Sequence, residues 1–260
     1  MINAAYRAMN VTLYQAAAAM EGNLLRQQAI AENISASSVP GFKRSDIGFS
    51  AISADMFKGQ LDKVQDKSQL QFLYPSFEQQ TNFEQGTLIP TNVNTDVAID
   101  GPGFFAVQGP NNQIFYTRDG TFRPNQDGLL ATKDGYPLLG ETGTISVDST
   151  NSEPVTISNS GDVSQGGNGL GRLKIATFAN PEQLQRASAG YFTAGNQAAQ
   201  AANLTTTSVW QGFLEGANTT PMNEMSELMQ TLRHYEANQR IMQMQDEHLG
   251  KLIQELSNLN

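Results

Sequence analysis

The stretch YTRDGTFRPNQDGLLATKDGYPLLG, residues 116–140, decides how the middle of the chain folds. It contains three Asp-Gly pairs, at residues 119–120, 127–128 and 134–135, and apolar or aromatic residues flank each of them. Asp-Gly is among the strongest short-range signals for a tight turn between two antiparallel strands. A fourth pair, at residues 100–101, repeats the pattern upstream. The stretch therefore predicts a series of short β-hairpins.

Short apolar segments on both sides of this stretch extend the β pattern over residues 81–215. They are closely spaced, as in a sandwich or barrel-like domain: DVAI (96–99), GFFAVQ (103–108), IFYTRDGTFR (114–123), GLLAT (128–132), ISVD (145–148), VTIS (155–158) and LKIATF (173–178). We therefore expect residues 81–215 to form a central all-β domain of sandwich or barrel-like form. Residues 47–80 mix short apolar runs with charges, and we interpret them as an extended arm or linker.

The N-terminal segment, residues 1–46, has a helical pattern and ends in a loop. Its mostly apolar positions alternate steps of four and three, which is heptad spacing, and the helix should stop before Pro40 and Gly41. These positions are Ile2, Tyr6, Met9, Leu13, Ala16, Met20, Asn23, Gln27, Ile30 and Ile34.

The C-terminal segment, residues 216–260, repeats this spacing. Pro221 stands where a helix-initiating proline belongs, after Thr219 and Thr220 as candidate caps. The heptad positions are Met225, Leu228, Leu232, Tyr235, Gln239, Met242, Asp246, Leu249, Ile253 and Leu256. The predicted fold class is therefore mixed α and β, with long N- and C-terminal helices that form a coiled coil and flank the central all-β domain.

Two arrangements of the terminal helices fit the pattern. They can pack side by side as an ordinary helical hairpin or against the β domain, which is the default for an isolated globular protein. Alternatively, neighbouring subunits complete the coiled coil. Similar periods at opposite ends of the chain favour the second arrangement, as do polar residues within the heptad row such as Asn23 and Gln239, which weaken a lone pair but fix register.

Composition excludes several classes of function. The formal net charge is -9 and no stretch concentrates Lys and Arg, so nucleic acid and anionic membranes are not expected partners. The chain has no cysteine, which excludes disulfides, thiolate catalysis and zinc–thiolate sites. The first residues lack the basic region and continuous apolar core of a cleaved signal peptide, and no apolar run reaches membrane-spanning length.

The sequence offers little material for catalysis. The two histidines, His234 and His248, are fourteen residues apart on one predicted helix, about 21 Å at 1.5 Å per residue, so they cannot share a metal there. GPGFFA (101–106) fits a loose dinucleotide-binding pattern, but FFAVQG reads as strand where that pattern needs a helix. No enzyme activity, cofactor or metal is therefore expected.

Four blocks resemble the axial proteins of the bacterial flagellum. AENISASSVPGFKRSD (31–46) is similar to their N-terminal signature, and FEQGTLIPTNVNTDVAIDGPGFFAV (83–107) to their entry into the central domain. Residues 116–140 match their Tyr-Thr-Arg-x-Gly-x-Phe pattern, and GFLEGANTTPMNEMSELMQTLRHYEANQRIM (212–242) resembles their C-terminal block. Length and the single central domain suit basal-body rod proteins of the FlgF/FlgG type. LGRLKIATFANPEQLQRASAGYF (170–192) is similar to the proximal-rod member.

The resemblance implies a structural subunit that assembles through its terminal helices into part of the torque-transmitting drive shaft and export channel. The implied partners are copies of itself, neighbouring rod subunits and the type III export apparatus, with the surrounding basal-body rings as further candidates. The implied location is the periplasmic rod, reached without a cleaved signal peptide. The expected subunit interface consists of Tyr6, Met9, Leu13, Met20, Ile30, Asn33, Ile34, Gly41, Phe42, Leu228, Leu232, Tyr235, Met242, Leu249, Ile253 and Leu256.

Other interpretations stay open at this point. Phe57 and Leu61 resemble a short export-gate motif of rod and hook subunits, but ordinary packing of the arm explains them equally well. A distal-rod or hook-type subunit is the alternative within the family. A secreted β-rich carbohydrate-active or carbohydrate-binding protein is the alternative outside it, although the lone Trp210 reads better as a core or interface residue than as a sugar platform.

Overall fold

A computed structural model describes residues 2–52, 74–148, 151, 153–188, 190–195 and 207–257. Two long helices lie at the ends of this part of the chain, α1 (Ile2–Ala36) and α2 (Pro221–Ser257). Their positions agree with the sequence prediction, since α1 ends before the Pro40 break and α2 begins at Pro221. Neither helix is apolar enough over a sufficient length to cross a membrane.

Between the helices the regular structure of the described chain is mostly short strands, joined by turns and loops, which confirms the mixed α and β class with a strand-rich centre. In chain order they are β1 (Ser45–Ile52), β2 (Tyr74–Thr81), β3 (Leu88–Pro90), β4 (Val97–Asp100), β5 (Phe104–Gln108), β6 (Ile114–Thr117), β7 (Arg123–Pro124), β8 (Leu130–Ala131), β9 (Leu139–Gly140), β10 (Gly143–Thr144), β11 (Val155–Ile157), β12 (Asp162–Gln165), β13 (Asn168–Arg172), β14 (Ile175–Ala176), β15 (Leu184–Ser188), β16 (Tyr191–Ala194), β17 (Ser208–Gln211) and β18 (Phe213–Glu215).

The largest sheet has five antiparallel strands in the order β14-β5-β6-β16-β15. A three-stranded sheet, β11-β12-β13, and two-stranded pairs such as β17-β4 and β18-β3 make up the rest. The five-stranded sheet ends in two edge strands, so among the described strands the barrel-like expectation is wrong. The strands are too short and too often interrupted by turns to close a continuous sheet.

Strand β5 divides the core into two clusters because successive side chains of a strand point to opposite faces. Phe105 and Val107 belong to the larger cluster, in which Phe105 meets Phe122 edge to face at 5.2 Å between ring centroids. Phe104 and Ala106 belong to the smaller cluster. Both faces of β5 are therefore buried, which explains why GFFAVQ reads as a continuous apolar run rather than an alternating one. The GPGFFA segment thus leads into a strand, as predicted.

Only two of the four Asp-Gly pairs form the predicted hairpins. The pair at 127–128 joins β7 to β8, and the pair at 134–135 turns the chain back so that Pro137 bridges Ala131. The pair at 119–120 joins no hairpin, since β6 pairs with β5 and β16. A Cβ on Gly120 would lie 1.6 Å from the Val97 carbonyl oxygen, so close backbone approach requires glycine there. After the pair at 100–101 the chain changes sheets, because β4 pairs with β17.

By their contacts the residues form two compact units. The first consists of Met1–Ile34, Ser45–Gln80 and Pro221–Asn260, and its described part contains nearly all of α1, all of α2 and the β1–β2 ribbon. The second consists of Ser35–Arg44 and Thr81–Thr220, and it contains the sheets and both apolar clusters. The strands β1 and β2 give paired structure to the two ends of the segment predicted to be an arm.

Tyr191 makes the second unit sensitive to alkaline pH. It is buried and its hydroxyl donates to the Asp134 carboxylate at 2.7 Å. Burial raises the Tyr191 pKa above its usual 10, and the Asp134 charge adds to the effect. Since the unfolded chain loses this proton near pH 10 and the folded chain keeps it, stability is full below pH 10 and declines above it.

We expect the free energy of unfolding to fall between pH 10 and 11.5 more steeply than in Tyr191→Phe, by about 1.4 kcal/mol per pH unit. Urea titrations at several pH values measure both slopes. Parallel slopes for the two proteins would contradict this account of Tyr191.

Candidate functional site: a buried ionic junction

The loop that follows α1 is held against the second unit's own strands by a glycine and a buried aromatic ring. Gly41 has φ +67°, and a Cβ there would lie 2.2 Å from the Arg118 carbonyl carbon, so only glycine fits. Its N–H donates to the Glu215 carbonyl at 2.7 Å. The Phe42 ring is fully buried, with the Arg186 guanidinium 5.1 Å from its centroid.

Lys43, the next residue, is a fully buried cation. Its ammonium donates to Glu215 Oε1 at 2.6 Å and to the Glu84 carbonyl at 2.6 Å. Burial lowers the Lys43 pKa, and the Glu215 carboxylate opposes that shift. An ammonium group is seldom fully buried without a partner, because desolvation costs several kcal/mol.

Glu215 is the centre of this arrangement, and we call Lys43, Arg118 and Glu215 the ionic junction. The Glu215 side chain is fully buried at the end of β18. Its Oε1 accepts from Lys43 and from the Gly86 N–H at 2.9 Å, while its Oε2 accepts from Arg118 Nη1 at 2.8 Å. The single carboxylate thus binds both buried cations, and the junction keeps a net charge of +1.

Arg118 supplies the second cation from the turn after β6. Its guanidinium donates to Glu215 and to the Gly101 carbonyl at 2.7 Å, and it lies 5.2 Å from the Phe104 ring centroid. Burial lowers the Arg118 pKa, and the Glu215 carboxylate again opposes the shift. The guanidinium remains charged, because arginine does not lose its proton in proteins.

Asn218 lies beside the ionic junction, and its side chain bonds to backbone groups of two segments. Its Oδ1 accepts from the Arg44 N–H at 2.6 Å, and its Nδ2 donates to the carbonyls of Asn82 and Glu84 at 2.8 and 3.1 Å. Its own N–H donates to the Phe42 carbonyl at 3.2 Å. The Asn218 side chain therefore joins residue 44 to residues 82–84, which also bond directly, since the Asn82 N–H donates to the Arg44 carbonyl at 2.9 Å. The ionic junction and Asn218 thus hold together segments that are far apart in the sequence.

In the first unit, α1 and α2 make polar contacts with each other. Asn33 is fully buried, and its amide donates to Glu224 Oε2 at 3.1 Å and to the Ser45 carbonyl at 2.9 Å. About two turns earlier in α1, the Arg26 guanidinium lies 4.0 Å from the Glu227 carboxylate. Since contacts move toward the C-terminus of α2 as they move toward the N-terminus of α1, the helices run antiparallel here.

The covered face of α2 coincides with only half of the predicted heptad row. Leu228, Tyr235, Met242 and Leu249 are half-buried, as expected. The other half of the covered row is polar, with Glu224 and Thr231 buried and Gln245 half-buried. Each of these stands one residue before a predicted position, and the predicted Met225, Leu232, Gln239 and Asp246 are exposed. The contacts that α2 makes within its own chain thus leave the apolar residues Met225 and Leu232 exposed.

The remaining predicted interface residues fall into three groups. Met20 and Ile34 are half-buried and Ile30 is buried on α1, while Asn33, Gly41 and Phe42 are buried within their own units. Tyr6, Met9 and Leu13 lie within α1, and Ile253 and Leu256 within α2. Phe57 and Leu61 lie outside the described residues. A role of the interface residues in contacts between subunits stays a prediction, as does the interpretation of Phe57 and Leu61 as an export-gate motif.

The ionic junction was missed at the sequence level, although each of its members lies in a quoted block. Lys43 ends Gly-Phe-Lys, Arg118 lies in Tyr-Thr-Arg, and Glu215 follows Phe213 and Leu214. The available signal was slight: Lys43 follows Phe42 and Glu215 follows Leu214, whereas Arg118 stands between Thr117 and Asp119. Among described residues, no cluster of three or more His, Cys, Asp or Glu could hold a metal ion.

Comparison with known proteins places the chain in a class and then in a family. A profile of the flagellar hook protein FlgE/F/G D1 domain matches residues 98–165, and one of the flagellar basal body rod FlgEFG protein C-terminal region matches residues 211–255. These matches, which include Arg118 and Glu215, define the class as axial proteins of the flagellar hook and basal body.

Relatives that match nearly end to end narrow the class. The flagellar basal-body rod protein FlgG of Buchnera aphidicola subsp. Schizaphis graminum is 30% identical, over 90% of this chain and 95% of the relative. FlgF of Caulobacter vibrioides is 32% identical, over 89% and 91%. The flagellar hook-basal body complex protein FlhP of Bacillus subtilis is 29% identical, over 88% and 93%.

The chain belongs to the family of flagellar basal-body rod proteins of the FlgF/FlgG type. It is therefore a structural subunit of the basal-body rod, and it is not an enzyme. The alternative interpretation as a secreted carbohydrate-active protein does not fit this family. Both FlgG and FlgF proteins stand among relatives of similar identity, so the comparisons identify a rod protein without choosing between the two.

Proposed function

We propose that this rod subunit assembles by a coiled coil which its own two helices begin and neighbouring subunits complete. In this arrangement residues 1–46 and 216–260 line the inner tube of the rod, and residues 47–80 form an arm. Residues 81–215 form the outer β domain. The partners are copies of the chain and adjacent rod subunits.

The observation that carries this proposal is an exposed apolar row on α2. Met222, Met225, Met229 and Leu232 follow each other at steps of three, four and three, which is the spacing of one coiled-coil face. All four side chains are exposed, from 43% for Leu232 to 78% for Met222. At 100° per residue the row lies about a quarter of a turn from the face that contains Leu228 and Tyr235.

Exposed apolar surface on this scale is a driving force for association. Covering it contributes roughly 25 cal/mol per Å², and the unbranched thioether of methionine adapts to irregular partner surfaces. A partner helix with heptad spacing fits such a row, and α1 and α2 of other copies have that spacing. The row also explains why the predicted heptad positions Met225 and Leu232 are apolar although the chain's own fold leaves them exposed.

A charge within the row tests the proposal. We expect Met225→Glu to abolish rod assembly and motility while the isolated protein stays folded, since a carboxylate buried in an apolar contact costs several kcal/mol. Swimming in soft agar and electron microscopy of basal bodies measure assembly, and thermal unfolding checks the fold.

Ala237→Glu is the matched control. Ala237 is exposed on α2, and it lies twelve residues from Met225, about 120° around the helix. We expect cells with this variant to swim as the wild type does. Normal motility of Met225→Glu, or equal defects in both variants, would contradict the assignment of the row to a subunit interface.

Position and route are further parts of the proposal. Residues 170–192 resemble the proximal-rod member, which supports a place in the proximal, periplasmic part of the rod. The family resemblance supports passage through the flagellar type III export apparatus without a cleaved signal peptide. Co-purification of the chain with basal bodies that are arrested before distal-rod assembly tests the position, and its absence from them would favour the distal rod.

A further inference from the structure

We infer that the ionic junction makes the docking of one segment depend on a remote one, so that residues 41–44 are held only when residues 215–218 are also in place, whereas residues 215–218 stay docked without residues 41–44. This dependence is a folding device within the second unit. It does not rest on the proposed coiled coil.

The first step of the argument is where the backbone groups of residues 41–44 find partners. The Gly41 N–H donates to the Glu215 carbonyl at 2.7 Å, and the Phe42 carbonyl accepts from the Asn218 N–H at 3.2 Å. The Arg44 N–H donates to the Asn218 side chain at 2.6 Å. Because buried backbone groups without partners are costly, removing residues 215–218 leaves this loop without three of its hydrogen bonds.

The second step is the charge of the junction, which is +2 from Lys43 and Arg118 and -1 from Glu215. Without the Glu215 carboxylate, two cations remain buried with carbonyl groups as their only acceptors. Arg118 follows a central strand and keeps the Ile99 and Gly101 carbonyls as acceptors, whereas Lys43 belongs to the loop itself. Loss of Glu215 therefore releases residues 41–44 in preference to Arg118.

The third step is that the two cations are not equivalent toward Glu215. Without Lys43, the carboxylate keeps Arg118 at 2.8 Å and the Gly86 N–H at 2.9 Å, and the remaining pair is neutral. Residues 215–218 should therefore stay docked when Lys43 is lost. This asymmetry distinguishes a charge-controlled junction from a loop that is held by packing of Phe42 alone.

A functional consequence follows from the distance between the segments along the chain. Residue 43 and residue 215 are 172 positions apart, so the N-terminal loop cannot close until most of the chain is available. Docking of residues 41–44 therefore requires a chain that extends at least to residue 218. A chain that lacks its C-terminal segment keeps its N-terminal loop undocked.

Hydrogen exchange of the full-length protein tests the inference, read by mass spectrometry on peptides that cover residues 41–44 and 215–218. In Glu215→Gln we expect exchange of residues 41–44 to accelerate about 100-fold or more, since a buried charge has lost its partner. In Lys43→Met we expect residues 215–218 to keep their protection within about threefold. In the double variant, protection of residues 41–44 should recover relative to Glu215→Gln.

Two further variants keep the test decisive. If Glu215→Gln does not fold, Asn218→Ala removes hydrogen bonds from the C-terminal segment without changing any charge, and faster exchange in residues 41–44 is still expected. Gln165→Ala is the control, because this buried amide binds the carbonyls of Asp148 and Glu153 elsewhere in the unit. It should leave residues 41–44 unchanged. Unchanged exchange of residues 41–44 in Glu215→Gln, or in Asn218→Ala if Glu215→Gln does not fold, would overturn the inference.

Discussion

A chain that ends at residue 220 is expected to form no rod and to leave its cells non-motile. The truncation removes α2, and with it both the exposed row from Met222 to Leu232 and the half-buried positions that include Leu228. Without this helix no coiled-coil face of the C-terminal segment remains for neighbouring subunits to cover. Swimming assays and electron microscopy of basal-body preparations measure the two effects.

The same truncation is expected to leave the second unit folded. The contacts that hold residues 41–44 extend no further along the chain than Asn218, and the buried residues of both apolar clusters lie within residues 97–209. Near-normal thermal unfolding of the purified fragment would show that the loss is one of assembly. A chain that ends at residue 257 keeps all of α2 and is the control. Motile cells carrying only the chain that ends at residue 220 would refute the role of α2.

The second large effect is expected from Glu215→Gln, which should lower the free energy of unfolding by about 3–5 kcal/mol. The amide occupies nearly the same volume, so the change isolates the charge. Lys43 and Arg118 would then remain buried, at 0% and 5% side-chain exposure, without a counter-ion. Urea unfolding followed by Trp210 fluorescence measures the effect, since this single tryptophan lies on β17, five residues before Glu215.

Glu141→Gln is the matched control for this substitution. Glu141 also faces an arginine, Arg172, but at 4.0 Å and with both side chains about half exposed. Water screens such a pair, so the expected change is below about 1 kcal/mol. Similar losses of unfolding free energy for Glu141→Gln and Glu215→Gln would show that burial does not determine how much the junction contributes to stability.

The two helices could be predicted from the sequence almost to the residue, for a local reason. Pro221 starts α2 and the segment around Pro40 and Gly41 ends the region of α1, so the backbone chemistry of single residues sets the bounds. The covered face of α2 could be predicted only in part. Heptad analysis selects apolar positions, whereas the chain buries Glu224 through a hydrogen bond from Asn33, 191 residues away.

The strands show where local signals end. Gly128 and Gly135 adopt φ of +75° and +84° in tight turns, as Asp-Gly predicts. Gly120 is glycine for another reason, since the Val97 backbone passes where its Cβ would be. Such a close approach depends on the pairing of distant segments. The same holds for β4, whose partner β17 lies more than a hundred residues further along the chain.

The ionic junction was the least predictable part of the molecule, because its three members come from three separate parts of the chain. A lone Lys, Arg or Glu usually lies at the surface, and sequence spacing cannot show which charges meet. The sequence does show that two of the three charges follow apolar residues, since Phe42 precedes Lys43 and Leu214 precedes Glu215. A charge that directly follows a buried apolar residue in a short motif is a candidate for a buried pair.

Oxidation of methionine tests the central claim most directly, since peroxide converts exposed methionine to the sulfoxide at a rate set by access. The rates at Met222, Met225 and Met229 would be measured by mass spectrometry in the isolated subunit and in purified basal bodies. Completion of the coiled coil by neighbouring subunits predicts rapid oxidation of all three in the isolated subunit and at least tenfold slower oxidation in the rod. Equal rates in the two states would contradict it.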